Sequence, residues 1–138
     1  NPRRMSTGFD YNRMSLLLAV LEKRAGFYFA NLDTYINVVG GLRLDEPAAD
    51  LAVSMALVSS LKDIVIPDDM LAFGEIGLAG EIRSVSHAEE RVKEAARLGF
   101  KKCIVPKHNL DSIKLSKDLN INVIGVSTVR EAFGAICS

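Results

Sequence analysis

Twice in its second half this sequence runs through the same series. A short stretch that reads as a strand is followed by Ser or Thr with Glu three residues later, and then by an apolar stripe at helical spacing. Residues 81–85 lead into Ser86-His87-Ala88-Glu89 and the stripe Val92, Ala95, Ala96. Residues 121–126 lead into Thr128-x-x-Glu131 and the stripe Val129, Ala132, Phe133, Ile136. Ser/Thr-x-x-Glu is the capping box, in which two side chains satisfy the unpaired amides of a helix start. Between the two units lies Cys103-Ile104-Val105, a short buried strand stopped by Pro106. Strands that alternate with helices need crossover connections, so the expected fold is α/β, a mixed sheet with helices and parallel pairing in the back half.

The front half is read the same way. Asp10 caps a helix with Met14, Leu17, Leu18 and Leu21 on one face, Lys23 and Arg24 in its last turn and Gly26 as its stop. Residues 27–30 and 34–39 read as strands of a hairpin turning at Asn31-Leu32-Asp33, and Gly40-Gly41 breaks the pattern. A second helix begins near Pro47 and runs to about Leu61, with Leu51, Met55 and Val58 on one stripe. Beside them Ala48, Ala52 and Ala56 form a row of small residues that permits close packing on a sheet. Residues 71–75 and 81–85 read as strands around Gly74-x-x-Gly77-x-x-Gly80, and 107–120 as a short helix and loop.

A chain of 138 residues is one average domain, and the expectation is a single domain over 1–138. No apolar run has the length of a membrane span and no leader-like segment is present, so a cytoplasmic location without membrane partners is expected. The absence of an initiator Met suggests a piece of a longer protein. Cys103 and Cys137 lack CxxC spacing and read as reduced thiols. His87 and His108 stand without partners at metal-ligand spacing, and no metal is assigned. The glycine triplet sits between strands and lacks the Lys-Ser/Thr ending of a phosphate loop, so it reads as tight turns.

Net charge is zero but unevenly spread: +3 over residues 1–29, −7 over 30–82 and +4 over 83–138. Such asymmetry suits a polyanion-binding face or self-complementary subunits. Arg91, Lys93 and Arg97 alternate with Glu89, Glu90 and Glu94, the pattern of a solvated helix face. Arg3, Arg4, Lys101, Lys102 and Lys107 have no acids close by in sequence, which leaves them as candidate contacts to a phosphate backbone. With no Trp and few aromatic residues, a base-stacking groove is not indicated.

The segments Gly8-Phe-Asp-Tyr-Asn-Arg13, Leu18-Ala-Val-Leu-Glu-Lys-Arg24, Asn37-Val-Val-Gly-Gly-Leu-Arg-Leu-Asp-Glu-Pro-Ala-Ala-Asp-Leu-Ala52 and Phe73-Gly-Glu-Ile-Gly-Leu-Ala-Gly-Glu-Ile-Arg-Ser-Val85 carry a resemblance. In order and spacing they resemble the C-terminal domain of the bacterial RadA (Sms) family of DNA repair proteins. That domain is similar to the proteolytic domain of Lon proteases, of the ribosomal protein S5 domain 2-like folds. Lon-type peptidases pair a Ser nucleophile in Gly-Pro-Ser-Ala-Gly with a Lys base in Gly-Gly-Leu-Lys-Glu-Lys. Here Glu46-Pro47-Ala48-Ala49-Asp50 puts Ala48 at the Ser position, and counting back from Leu98-Gly99-Phe100 puts Glu89 at the Lys position. A methyl group cannot attack a carbonyl, and a carboxylate cannot replace the basic amine. Both partners of the dyad are replaced, and no catalytic residue is expected.

The resemblance implies a non-proteolytic Lon-like scaffold that supports ring assembly, with six subunits expected, and offers a basic surface to DNA. No cofactor is expected in this fragment. By the same resemblance the parent protein carries a zinc-binding segment and a RecA-like ATPase domain, the latter a partner of this one. ATP, Mg and Zn are expected there, in branch migration and DNA unwinding during homologous recombination. Two other readings stand beside it: a Ser-Lys peptidase with an unrecognised dyad, and an S5-like RNA-binding module.

Overall fold

The computed structural model describes residues 2–137, apart from the side chain of Cys137, so the reading of that thiol lies outside the described residues. The chain begins with strand β1 (Arg4–Thr7), helix α1 (Tyr11–Ala25) and strand β2 (Thr34–Asn37). β1 and β2 pair in parallel, Met5 opposite Tyr35, with α1 as the crossover. The hairpin expected over residues 27–39 does not form. Phe27 closes on Phe133 as an edge-to-face pair with ring centres 5.1 Å apart, and Phe29 is buried. These aromatic residues anchor the exit from α1 to the core instead of forming a strand. The true partner of 34–37 lies thirty residues upstream. Its sequence gives no strand signal, because Arg4-Met5-Ser6-Thr7 has one apolar side chain and no period.

α1 forms as its sequence requires. The Asp10 carboxylate accepts from the Arg13 amide at 2.8 Å, and Gly26 ends the helix at φ +75°. Met14, Leu17, Leu18 and Leu21 are buried as expected. Pro47–Ala49 forms one 3-10 turn that leads into α2 (Asp50–Lys62), with Leu51, Met55 and Val58 buried. The row beside them differs from expectation. Ala48 is buried, but Ala52 and Ala56 are exposed and line a groove instead of packing on a sheet.

The expected strand 71–75 is split. β3 (Met70–Ala72) joins a parallel sheet of order β3-β6-β7, where β6 is Lys102–Pro106 and β7 Asn122–Val126. β4 (Glu75–Ile76) turns away and pairs antiparallel with β5 (Ile82–Arg83). The break lies at Gly74, whose amide donates to the Ala48 carbonyl at 2.8 Å and whose carbonyl accepts from the Leu51 amide at 3.0 Å. The strand is thus drawn off its sheet to meet the start of α2. Gly77 and Gly80 close the β4–β5 turn, as expected of tight turns. Gly80 has φ +80°, and a Cβ there would come within 2.8 Å of the Arg24 Cβ.

α3 (Ala88–Arg97) buries Ala88, Val92 and Ala95, and α4 (Val129–Cys137) buries Val129, Ala132 and Phe133. Thr128 accepts from the Glu131 amide at 3.2 Å, as the box predicts. Ser86 does not cap α3. The cap position falls on His87 in the left-handed region at φ +59°, and no side chain satisfies the helix start. The architecture is therefore a mixed α/β fold. None of its described helices is long and apolar enough to cross a membrane.

Candidate functional site

Two segments that are forty residues apart in sequence meet beside the start of α2. Ala48 is 2% exposed and packs in one apolar cluster with Phe73, Ala88, Val92, Cys103 and Val105. Ala88 immediately precedes Glu89, so the start of α3 shares one apolar cluster with the turn that carries Ala48. Glu46 and Arg91 tie these segments from outside: their side chains come within 3.4 Å, and the Arg91 guanidinium lies 5.8 Å from the centre of the Phe73 ring. Arg91 also donates to the Ser86 carbonyl at 2.9 Å.

Glu89 does not serve as the third residue of a capping box. Its carboxylate accepts from the Lys114 amide at 2.8 Å and lies 3.7 Å from the Lys93 ammonium. It therefore pins the loop after β6 to α3. Because that amide lies 25 residues away, only the fold could reveal the partner.

A charged cavity of about 340 Å³ opens next to Pro47, with Asp10, Arg13, Asp45, Glu46, Asp50 and Glu75 among its walls. Asp50, 1% exposed, is its deepest group. Its carboxylate accepts from Arg13 Nε at 3.0 Å and the Ile76 amide at 3.1 Å, with a second bond from an Arg13 terminal nitrogen. Arg13 also donates to the Ile76 carbonyl at 3.0 Å. The hydrogen bond to Asp50, with its charge, raises the Arg13 pKa above the usual guanidinium value. α1, α2 and β4 are thereby joined through one ion pair. In sequence Arg13 is one basic residue among several, and Asp50 stands without a role. The one local signal is a carboxylate flanked by Ala48, Ala49 and Leu51.

The basic residues read as phosphate contacts are not gathered into one patch. Lys101 precedes β6 and Lys102 starts it, both amides donating to the Asp69 carbonyl, whereas Lys107 follows its far end. The five residue steps from Lys102 to Lys107 span about 16 Å at strand rise. Among the described residues, none of these three lysines has a carboxylate within ion-pair distance, whereas Lys93 and Arg97 do. Arg3 is exposed; Arg4 is half-buried and turns inward to donate to the Phe29 carbonyl at 3.3 Å. Asn109, missed in sequence, clamps the turn after β6 to residue 85, accepting from the Val85 amide at 2.9 Å and donating to its carbonyl at 3.1 Å.

Burial pushes the Cys103 thiol up to about 12, which makes it a packing residue at neutral pH. Among the described residues no three His, Cys, Asp or Glu side chains stand together in a way that could hold a metal ion.

The chain is 54% identical over 132 residues to the DNA repair protein RadA of Bacillus subtilis (strain 168), which covers 96% of this chain and 28% of that protein. It is 52% identical over 131 residues to DNA repair protein RadA of Streptococcus pneumoniae, with 95% and 31% covered. Against the protein of that name from Listeria monocytogenes it is 49% identical over 132 residues, with 96% and 28% covered. The chain thus spans about three-tenths of the length of these curated relatives. A family model described as subunit ChlI of Mg-chelatase matches residues 12–109. Those residues are well over half of the sequence, and the chain belongs to that family.

Proposed function

We propose that these residues form a non-proteolytic, Lon-like domain of a RadA-type DNA repair protein, a single unit over 1–138 that supports ring assembly and contacts DNA. The observation that carries the reading is the similarity to RadA proteins, about half identical along nearly the whole chain. Within this reading the ATPase activity, with its ATP, Mg and Zn, belongs to parts of the longer protein beyond this domain. Branch migration and unwinding in homologous recombination are its work, in the cytoplasm.

Ala48 and Glu89 argue against peptide hydrolysis for a chemical reason. A Ser-Lys dyad needs a hydroxyl to attack and a neutral amine to take its proton. Ala48 carries only a methyl group, and the carboxylate of Glu89 is engaged by the Lys114 amide and Lys93. The reading is supported by a helix start at α2, a strand drawn to it at Gly74 and the Glu46–Arg91 tie to α3.

Contact with DNA is assigned to Lys101, Lys102 and Lys107, with Arg3 at the edge of the small sheet. Free ammonium groups without carboxylate partners are available to displace counterions from phosphates. The test is fluorescence anisotropy with duplex DNA, single-stranded DNA and RNA of one length, alongside a serine-directed fluorophosphonate. DNA binding without labelling is expected. Labelling that vanishes on mutating one Ser would move the reading to a peptidase, and a preference for RNA would move it to an S5-like module.

A further inference from the structure

Arg24 and Arg130 stand 106 positions apart in sequence and meet where α1 ends and α4 begins. Arg130 Nε donates to the Arg24 carbonyl at 2.9 Å, which leaves the terminal nitrogens of Arg130 without a hydrogen bond among the described residues. The stem of Arg24 lies over the β4–β5 turn at Gly80, where a Cβ would come within 2.8 Å of Arg24 Cβ and 3.2 Å of its Cγ. The Gly80 carbonyl in turn accepts from the Val129 amide at 2.9 Å, next to Arg130. One turn therefore seats the stem of one arginine and ties down the helix that carries the other. Both arginines are exposed, and exposed Lys23 adjoins Arg24 in the last turn of α1.

Among the described residues none of these three cations has a carboxylate within ion-pair distance. Glu22 and Glu131, beside them in sequence, hide the cluster from a reading of local charge, yet neither pairs with it. The free carbonyls at the end of a helix supply about half a negative charge, which three positive charges exceed. Cations gathered by the fold, with no counter-ion of the protein's own, leave a positive potential for an external anion.

We propose that Arg24, Arg130 and Lys23 hold the phosphate backbone of duplex DNA, at a contact separate from Lys101, Lys102 and Lys107. The inference rests on the DNA-binding reading above. A guanidinium presents a planar fork of donors that matches two phosphate oxygens, and Arg24 has its whole fork free of hydrogen bonds within the described protein. Contacts of this kind position a protein on the duplex and read no bases, so the binding is independent of sequence. Charged residues are depleted from the centres of protein–protein contacts, whereas clustered unpaired cations are the footprint of a nucleic-acid surface. The relatives that are about half identical to this chain carry the name DNA repair protein.

The experiment is fluorescence anisotropy of one labelled duplex over a series of salt concentrations. It compares the unmodified chain with Arg24→Gln/Arg130→Gln and Arg24→Lys/Arg130→Lys. The glutamine pair should weaken binding and flatten the log–log salt slope by up to about 1.8, for two phosphate contacts at about 0.9 each. The lysine pair keeps both charges and should keep most of the slope. A lysine pair as flat as the glutamine pair would mean that the substitutions act through packing, which overturns the proposal. Melting curves check the fold. If the glutamine pair fails to fold, Arg24→Gln alone decides, because that side chain makes no hydrogen bond within the described protein, and it should flatten the slope by up to about 0.9. An unchanged slope overturns the proposal and leaves the contact at Lys101, Lys102 and Lys107 standing, whereas a chain that binds no duplex overturns both. Sedimentation velocity on the same samples separates a protein partner from DNA. A glutamine pair that loses self-association while keeping the slope assigns the cluster to a subunit contact and overturns the proposal.

Discussion

Arg13 and Asp50 lie 37 positions apart in sequence, on different helices, and form a forked ion pair that also takes both backbone groups of Ile76. Asp50 is 1% exposed and its partner about a third exposed, so the pair is half shielded from solvent. Removing one member leaves the other charge unpaired. Arg13→Ala should lower unfolding free energy by about 3 kcal/mol, at the lower end for broken buried pairs because solvent reaches Arg13. Urea unfolding measures it. A loss below about 1 kcal/mol, the level of a surface pair, would mean that Asp50 finds compensation elsewhere.

The two Ser/Thr-x-x-Glu motifs should respond differently to the same substitution. Thr128→Ala removes a real cap and should lower stability by about 1 kcal/mol. Ser86→Ala removes no cap and should stay within about 0.5 kcal/mol of the unmodified chain. Equal losses at both sites would show that Ser86 caps α3 after all.

These two motifs also show where sequence was legible. α1, α2 and α4, the buried strand at 103–105 and the Gly77–Gly80 turn follow from local periodicity and caps, which act within a few residues. The wrong hairpin at 27–39, the split of 71–75 at Gly74 and the left-handed cap at His87 all depend on partners far along the chain. β1 for residues 34–37, Ala48 and Leu51 for Gly74, and Lys114 for Glu89 cannot be read from spacing. The candidate site divides in the same way. Ala48 and Glu89 came from resemblance, and the fold brings their segments together, whereas Arg13–Asp50 and Asn109 emerge only in three dimensions.

Cys103 predicts a pH dependence. Burial raises its pKa from 9.0 to about 12, so between those values the unfolded chain has released the proton and the folded chain has not. Stability therefore falls as pH rises through this window, by up to about 1.4 kcal/mol per unit from this group. At neutral pH, where the thiol is protonated in both states, it contributes no slope. Cys103→Ala should flatten the decline measured by urea unfolding at pH values on either side of 9.0, relative to the unmodified chain. An unchanged slope would mean that the thiol is accessible. Under mildly alkaline conditions a thiol reagent should react with Cys103 only after denaturation.

Restoring one half of the dyad should not restore chemistry. Ala48→Ser places a hydroxyl in a buried apolar cluster with no amine to activate it, and the variant should remain unlabelled by fluorophosphonate. Labelling of this variant alone would reveal a base that the geometry does not identify.

In the proposed role the domain meets DNA through free basic groups and not through its paired helix charges. The direct measurement is the salt dependence of duplex binding for the unmodified chain, Lys101→Ala/Lys102→Ala and Lys93→Ala/Arg97→Ala. The control pair is chosen because Lys93 and Arg97 are neutralised by Glu89 and Glu94, while Arg91 also supports the packing at Phe73. Each lost phosphate contact flattens the log–log slope by about 0.9, so the first pair should flatten it by up to about 1.8 and the control should leave it unchanged. Equal weakening by both pairs, or none by either, would contradict the claim.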